Sequence, residues 1–210
     1  MTTFERFHKE LITNNIDPSQ IKNISMDMSQ SFISGAKAYF PDAEITFDKF
    51  HIKKLLNEAV NKVRIDESNE TELLKKTKYI WLKSDSNLTN NQKIELNKLL
   101  EETHLKTADA YRMRLNFDSV WNIDESKVED YLTEWCNQAD DLELYPMTSF
   151  VKTLKNHWQG VINIALTKIS NGISEGINSI IQLVKSRARG FRNIENFIDM
   201  IYLVKAGFIY

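Results

Sequence analysis

The chain has 210 residues, of which 42% are hydrophobic and 27% are charged, and its net charge at pH 7 is −2. This composition excludes a disordered chain, and the near-neutral balance excludes nucleic-acid binding through overall charge, so any such binding must use a local patch. A single cysteine excludes an internal disulfide and a thiolate metal site, and no apolar run is long enough to span a membrane, so we expect a cytoplasmic protein without membrane contact.

Two short strands are predicted early in the chain, after a helix over TFERFHKELI that ends before Asp17 and Pro18. Apolar and polar residues alternate in IKNISMDMS and again in AEITFDKF, and the intervening QSFISGAKAYF has helical spacing. This order predicts a parallel strand pair with a right-handed crossover. Asp27 and Asp48 then lie at the carboxyl ends of the strands, where open α/β sheets usually place their sites.

Helical periodicity dominates the rest of the chain. A helix is predicted from Lys49 to Arg64, and five more helical segments follow up to Trp158: ELLKKTKYIWL, NQKIELNKLLEE, LKTADAYRMRLNF, KVEDYLTEWCNQA and MTSFVKTLKNHW. The four tryptophans are expected in the core, although Trp81, which lies near two lysines, is a candidate for base stacking. The fold class is therefore α/β and mainly helical, with portions at 1–64, 65–165 and 166–210.

The helix over SNGISEGINSIIQLVKSRARGF has one apolar stripe and one polar face. The polar face begins with Glu175 and ends with basic residues, and the whole face comprises Glu175, Asn178, Gln182, Lys185 and Arg189. Acids in the first turn and bases in the last turn also stabilise a helix through its dipole. The pattern alone therefore favours a structural role for Glu175 over a catalytic one.

Three motifs in this order resemble the ISL class of bacterial insertion-sequence transposases: SMDMS, then DKFHIKKLLNEAV, and much later HWQG with SNGISEGINSIIQLVKSRARGFRNIENF. The resemblance covers nearly the whole chain from Ile21 onward. It implies a ribonuclease-H-like catalytic domain of the DDE type, in which a helical insertion precedes the last acid. The second aspartate of that family falls on Asp27, and its glutamate falls on Glu175.

The resemblance also implies a cofactor and a substrate. The three carboxylates of the family hold two divalent ions, usually Mg²⁺, and Mn²⁺ is the common substitute. Hard ions of this kind take oxygen ligands, and a pair of them stabilises the entering and leaving oxygens of a phosphoryl transfer. The expected activity is DNA strand cleavage and transfer at insertion-sequence ends, with Asp27 and Glu175 as catalytic metal ligands.

One departure from the family pattern matters. The first aspartate of the family lies well before the SMDMS strand, and only twenty residues precede that strand here; Asp17, beside a proline, is not accepted as a substitute. The resemblance therefore indicates a C-terminal portion of a transposase, which we expect to bind metal weakly and to be inactive as an isolated chain. An incomplete sheet would also leave an open edge beside Ile24 or Ile45, a route to aggregation or to a homodimer.

Several side chains have two interpretations. Asp48 is predicted to cap the following helix, and the alternative is that Asp48, His51 and Asn178 orient metal ligands or water. Lys49, Lys53 and Lys54 would contact phosphate or simply lie on a solvated helix. The best candidates for DNA binding are Lys185, Arg187, Arg189 and Arg192. The alternative function is a non-enzymatic helical module that binds DNA or self-associates.

Overall fold

A computed structural model describes residues 3–102, 104–168, 172–188 and 190–207, except for the side chains of residues 172–175. The chain forms two compact units, Met1–Ile169 and Ser170–Tyr210. Within the described ranges, no helix is both long and apolar enough to cross a bilayer.

The first unit begins with the predicted strand pair. Helix α1 (Thr3–Thr13) is followed by β1 (Asn23–Met26), α2 (Gln30–Tyr39) and β2 (Glu44–Phe47). The strands are parallel, with Ile24 opposite Ile45 and Met26 opposite Phe47. The parallel pair and the mainly helical α/β class are thereby confirmed, while the ribonuclease-H-like arrangement stays a prediction.

Seven α-helices complete the first unit over its described residues. They are α3 (Lys49–Glu67), α4 (Lys78–Leu82), α5 (Asn90–Glu101), α6 (Lys106–Phe117), α7 (Val128–Asp141), α8 (Tyr145–Asn156) and α9 (Trp158–Thr167). One predicted helix is broken. ELLKKTKYIWL is interrupted at Lys76, whose φ of 65° is left-handed, so backbone conformation there overrides the local helical periodicity. The helix predicted over MTSFVKTLKNHW is confirmed as α8, which ends at Asn156, two residues earlier than predicted.

Two apolar cores hold the first unit together. The larger core joins the sheet to α3 and α6–α9, and the smaller core lies among α4, α5 and α6. Trp81 and Trp135 are buried in these cores, as predicted. Base stacking on Trp81 is excluded, because its ring is fully buried and its indole nitrogen donates to Thr77 Oγ1 at 3.1 Å.

The second unit contains α10 (Gly172–Arg187) and α11 (Ile194–Lys205), which pack against each other. On α10 the polar Asn178, Gln182 and Lys185 are exposed, whereas Val184 on the apolar stripe is buried. The two predicted faces of this helix are therefore confirmed over its described side chains. The helix ends at Arg187, earlier than predicted, and the ring of Phe191 beyond it lies 4.9 Å from that of Phe197.

Candidate functional site

Asp27 and Asp48 are neighbours at the carboxyl edge of the sheet. Met26 lies opposite Phe47 in the strand register, and the Asp48 amide donates to the Met26 carbonyl at 2.9 Å. Each aspartate directly follows the last residue of its strand, and both are partly buried. The structure thus brings together two acids that are 21 positions apart in sequence, as the strand pattern predicted.

The Asp27 carboxylate has one oxygen engaged and one available. Oδ1 accepts a hydrogen bond from the backbone amide of Ser29 at 3.0 Å, which turns the chain into α2. Ser29 occupies the extended cap position of that helix. Within the described part of the chain, Oδ2 of Asp27 has no hydrogen-bond partner, so this oxygen is open to a cation.

The Asp48 carboxylate uses both oxygens. Oδ1 accepts from the Phe50 amide at 2.9 Å and caps α3, and Oδ2 lies 3.0 Å from Nδ1 of His51. The Asp48 side chain is 11% exposed, whereas that of His51 is 44% exposed. The capping interpretation of Asp48 is confirmed. This contact also fixes the ring of His51 beside the sheet edge.

The donor chemistry of this edge fits a hard divalent cation, since carboxylate oxygens are the ligands that Mg²⁺ prefers. The number of donors is smaller than a catalytic pair of ions requires. Among the residues that the structure describes, no group of three or more histidine, cysteine or acidic side chains is placed to hold a metal ion.

Two predicted site residues lie outside the description. The backbone of Glu175 belongs to the first turn of α10, but its side chain is among those not described, and Arg189 is not described at all. The remaining candidates of the second unit, Asn178, Lys185, Arg187 and Arg192, are exposed. Their exposure is compatible with phosphate contacts.

Helix α9 covers the outer edge of β2, which sequence reasoning missed. Nδ2 of Asn163 donates to the Ile45 carbonyl at 2.9 Å, so the expectation of an open edge beside Ile45 is wrong. Gly160 makes this approach feasible, because a Cβ at that position would lie 2.3 Å from Cε2 of Phe47. A glycine inside a helical pattern, in the motif HWQG, was the available signal.

Comparisons with known proteins agree with the motifs. A family model of ISL3-class DDE proteins, described as transposase, matches residues 2–201. The chain is 26% identical over 187 residues to the transposase for insertion sequence element IS1001 of Bordetella parapertussis, an alignment that covers 85% of this chain and 46% of that protein. The chain thus spans about half the length of the curated relative it matches. No solved structure matches it.

Proposed function

The chain belongs to the ISL3 class of DDE transposases, and we propose that it supplies part of the metal-dependent site with which such a transposase cleaves and joins DNA. In this proposal Asp27 and Glu175 are ligands of Mg²⁺ or Mn²⁺, and the sheet edge belongs to a ribonuclease-H-like domain. The substrate is the DNA of an insertion-sequence end and its target.

The observation that carries the proposal is the state of the Asp27 carboxylate. Its Oδ1 is held by the Ser29 amide, which fixes the direction of the side chain, while Oδ2 has no partner among the described residues. A carboxylate oriented in this way at a strand end loses little conformational freedom when it binds a cation. The position matches the second acid of the family pattern.

Each residue has a stated task in this proposal. Bound divalent ions would supply Lewis-acid stabilisation of the entering and leaving oxygens. Asp27 would hold a cation through Oδ2, and Asp48 would keep His51 oriented beside it. The basic residues of the second unit, Lys185, Arg187, Arg189 and Arg192, would contact DNA phosphates. We further propose that this chain alone does not cleave DNA, because two acids fall short of the family's three.

Metal binding by the purified chain tests the role of Asp27. We expect weak Mn²⁺ binding, measured by electron paramagnetic resonance of the free ion, and a loss of that binding in Asp27→Asn. An asparagine retains the side-chain oxygen that accepts from Ser29, so the turn persists while the charge is removed. Unchanged Mn²⁺ binding in this variant would contradict the assignment.

Asp17→Asn is a closely matched control. Asp17 also accepts a hydrogen bond from the amide two residues later, that of Ser19 at 2.9 Å, but it is exposed and lies before β1. We expect this variant to bind Mn²⁺ like the unmodified chain. An equal loss in both variants would show that Mn²⁺ responds to total charge rather than to a site.

The Glu175→Gln variant separates a catalytic role from a binding role. We expect it to weaken Mn²⁺ binding while DNA affinity stays unchanged or rises, since a negative charge is removed. A module that only binds DNA would show no effect on metal. Metal-dependent strand transfer by the isolated chain would overturn the expectation that it is inactive.

A further inference from the structure

A polar cavity lies on the first unit, among α3, α6 and the segment that follows α4. Its volume is about 300 Å³, and its charged and polar lining residues are Lys53, Asn57, Ser84, Asp85, Arg114 and Asp118. It is lined by none of the residues of the sheet edge described above. Neither the family pattern nor the sequence motifs assigned these residues a role at a site, apart from Lys53.

Arg114 in this cavity is a half-buried cation, and the nearby charge of Asp118 offsets part of the cost of its burial. Within the described chain its guanidinium makes one hydrogen bond, from Nη2 to the Lys83 carbonyl at 3.4 Å, and its buried Nε has no acceptor. Burial lowers the pKa of Arg114. Because an arginine in a protein stays charged, this desolvation is a free-energy cost that a bound anion would offset.

The acids of the cavity are already paired with other cations. Asp118 forms an ion pair with Lys53 at 2.8 Å, and Asp85 forms one with Lys93 at 2.8 Å. No carboxylate among the described residues lies within ion-pair distance of Arg114. The guanidinium is instead held over the ring of Tyr111, with Cζ 5.2 Å from the ring centroid.

We propose that this cavity binds a phosphate group of the DNA backbone, with Arg114 as the principal contact; the inference rests on the proposed function, in which the chain acts on DNA. A guanidinium presents a fork of donors that matches two phosphate oxygens. Ser84 adds a hydroxyl at the cavity wall. Arg114 then acts as a binding residue outside the sheet edge that carries Asp27 and Asp48.

The two acids in the wall are compatible with a bound phosphodiester. A phosphodiester carries one negative charge, whereas free phosphate carries up to two near neutral pH. Asp118 is paired with Lys53 and Asp85 with Lys93, so their repulsion of the single charge of a phosphodiester is small.

Salt-dependent DNA binding tests the proposal. Affinity of the full chain for a duplex of about 30 base pairs and arbitrary sequence would be measured by fluorescence anisotropy between about 50 and 200 mM KCl. We expect Arg114→Gln to weaken binding and to reduce the slope of log K against log salt by about one. An unchanged slope with an intact fold, checked by circular dichroism, would overturn the proposal.

Arg112→Gln provides the matched control on the same helix. Arg112 is exposed, and it is already bound to Asp109 at 2.8 Å and to the Leu100 carbonyl at 2.9 Å. We expect this variant to keep the slope of the unmodified chain. An equal reduction of the slope in both variants would overturn the proposal, because DNA would then respond to the general surface charge and not to a specific site at Arg114.

Two further variants keep the test valid if Arg114→Gln does not fold. Arg114→Lys retains the positive charge but loses the paired N–H donors of the guanidinium. We therefore expect weaker DNA binding with an unchanged slope of log K against log salt. Asp118→Asn removes an acid from the wall and releases Lys53, so we expect tighter binding. Equal or weaker binding by Asp118→Asn would count against the site.

Inorganic phosphate distinguishes a free anion from the DNA backbone. If phosphate at constant ionic strength raises the melting temperature of the unmodified chain while Arg114→Gln leaves the DNA slope intact, the cavity is a free-phosphate site and the proposal is wrong. If the unmodified chain binds no duplex at low salt, the proposed action on DNA fails as well. If the unmodified chain binds duplex and Arg114→Gln binds it with the same affinity and salt slope, only the phosphate site at Arg114 fails and the proposed action on DNA stands.

Discussion

The side-chain amide of Asn163 donates to the backbone carbonyl of Ile45 at 2.9 Å, and this contact closes the outer edge of a two-stranded parallel sheet with a helix. Asn163 is 5% exposed, and its Oδ1 accepts in turn from Gln159 at 3.0 Å. A side chain 118 positions further along the chain thus satisfies an outward-facing carbonyl at this edge.

Asn163→Ala is expected to lower the free energy of unfolding by about 1 to 3 kcal/mol, because the shielded carbonyl of Ile45 loses its donor. Urea denaturation followed by circular dichroism measures this loss. Asn97→Ala, at an exposed position of α5, is the control and should change stability by less than about 0.5 kcal/mol. Equal effects of the two substitutions would show that the edge contact contributes nothing.

Gly160→Ala is expected to destabilise the first unit by about 1 to 3 kcal/mol, since the new methyl group would overlap the ring of Phe47. Thermal unfolding measures the effect. Gly176→Ala, on α10, is the control: no described atom lies within 4 Å of the added carbon, so the substitution should be neutral or stabilising.

A second substitution tests the cause of the Gly160 effect. Phe47→Leu shortens the side chain that the methyl group would meet, so the double variant should be less destabilised than the sum of the single variants. Strict additivity would mean that the two residues are not in steric conflict.

Local pattern was sufficient to predict the parts of the fold that depend on short-range chemistry. The alternation in SMDMS and AEITFDKF placed Asp27 and Asp48 at adjacent strand ends, because the pleat follows from neighbouring residues and the strand–helix–strand order implies a parallel pair. The capping role of Asp48 was predictable for the same reason, since its partner is the Phe50 amide two positions away.

Long-range contacts were not predictable in this way. Lys76 interrupts a segment whose apolar spacing is helical, and Asn163 reaches a strand carbonyl that no local pattern connects to it. The burial of Arg114 likewise arises from the packing of α3, α4 and α6 around one side chain. Helical periodicity alone favoured a structural role for Glu175, in which its charge stabilises the helix dipole. The role of metal ligand was suggested by the family resemblance and stays a proposal.

Glu67 is another long-range contact, and it is expected to be important for stability. Its two carboxylate oxygens accept from the amides of Lys106 and Thr107 at 2.8 Å each, and Oε2 also accepts from the Thr107 hydroxyl at 2.6 Å. The cap residue of α6, Leu105, makes no side-chain cap bond, so Glu67 caps that helix from the end of α3.

Glu67→Gln should therefore lower the free energy of unfolding by about 1 to 3 kcal/mol. The side-chain NH₂ group of glutamine would face the N–H and O–H donors of Lys106 and Thr107, and one of their hydrogen bonds would be lost. Urea titration at neutral pH provides the measurement. Glu70→Gln, three residues later and exposed, is the control and should be near neutral. A Glu67→Gln variant as stable as the unmodified chain would contradict the capping role.

Cys136 is expected to be unreactive in the folded chain. The thiol is fully buried, and burial raises its pKa to about 11. At about pH 8 an exposed thiol is partly ionised, whereas this one stays protonated, so a disulfide reagent should label it only after unfolding in urea. Rapid labelling of the native chain would show that α7 opens readily.

The sign of the pH dependence at Cys136 follows from the same shift. Because the folded pKa lies above that of the unfolded thiol, the stabilising contribution is complete below about pH 8.5 and is lost as the pH rises toward 11. Cys136→Ala removes this dependence, so the unmodified chain should lose more stability than the variant between those pH values. Parallel stability curves would contradict the shift.

Asp48 combines a structural task with its proposed position beside the metal, and two substitutions separate them. Asp48→Ala removes the cap of α3 and should lower the free energy of unfolding by about 1 kcal/mol. Asp48→Asn retains an oxygen for the Phe50 amide, so stability should be nearly unchanged while the carboxylate contact with His51 is lost. Urea denaturation of both variants measures the difference, and equal losses would contradict the cap.

The Mn²⁺ affinity of Asp48→Asn is a separate test of the charge at the sheet edge. We expect this affinity to fall, but less than in Asp27→Asn, because the Asp27 carboxylate has an open oxygen and the Asp48 carboxylate does not.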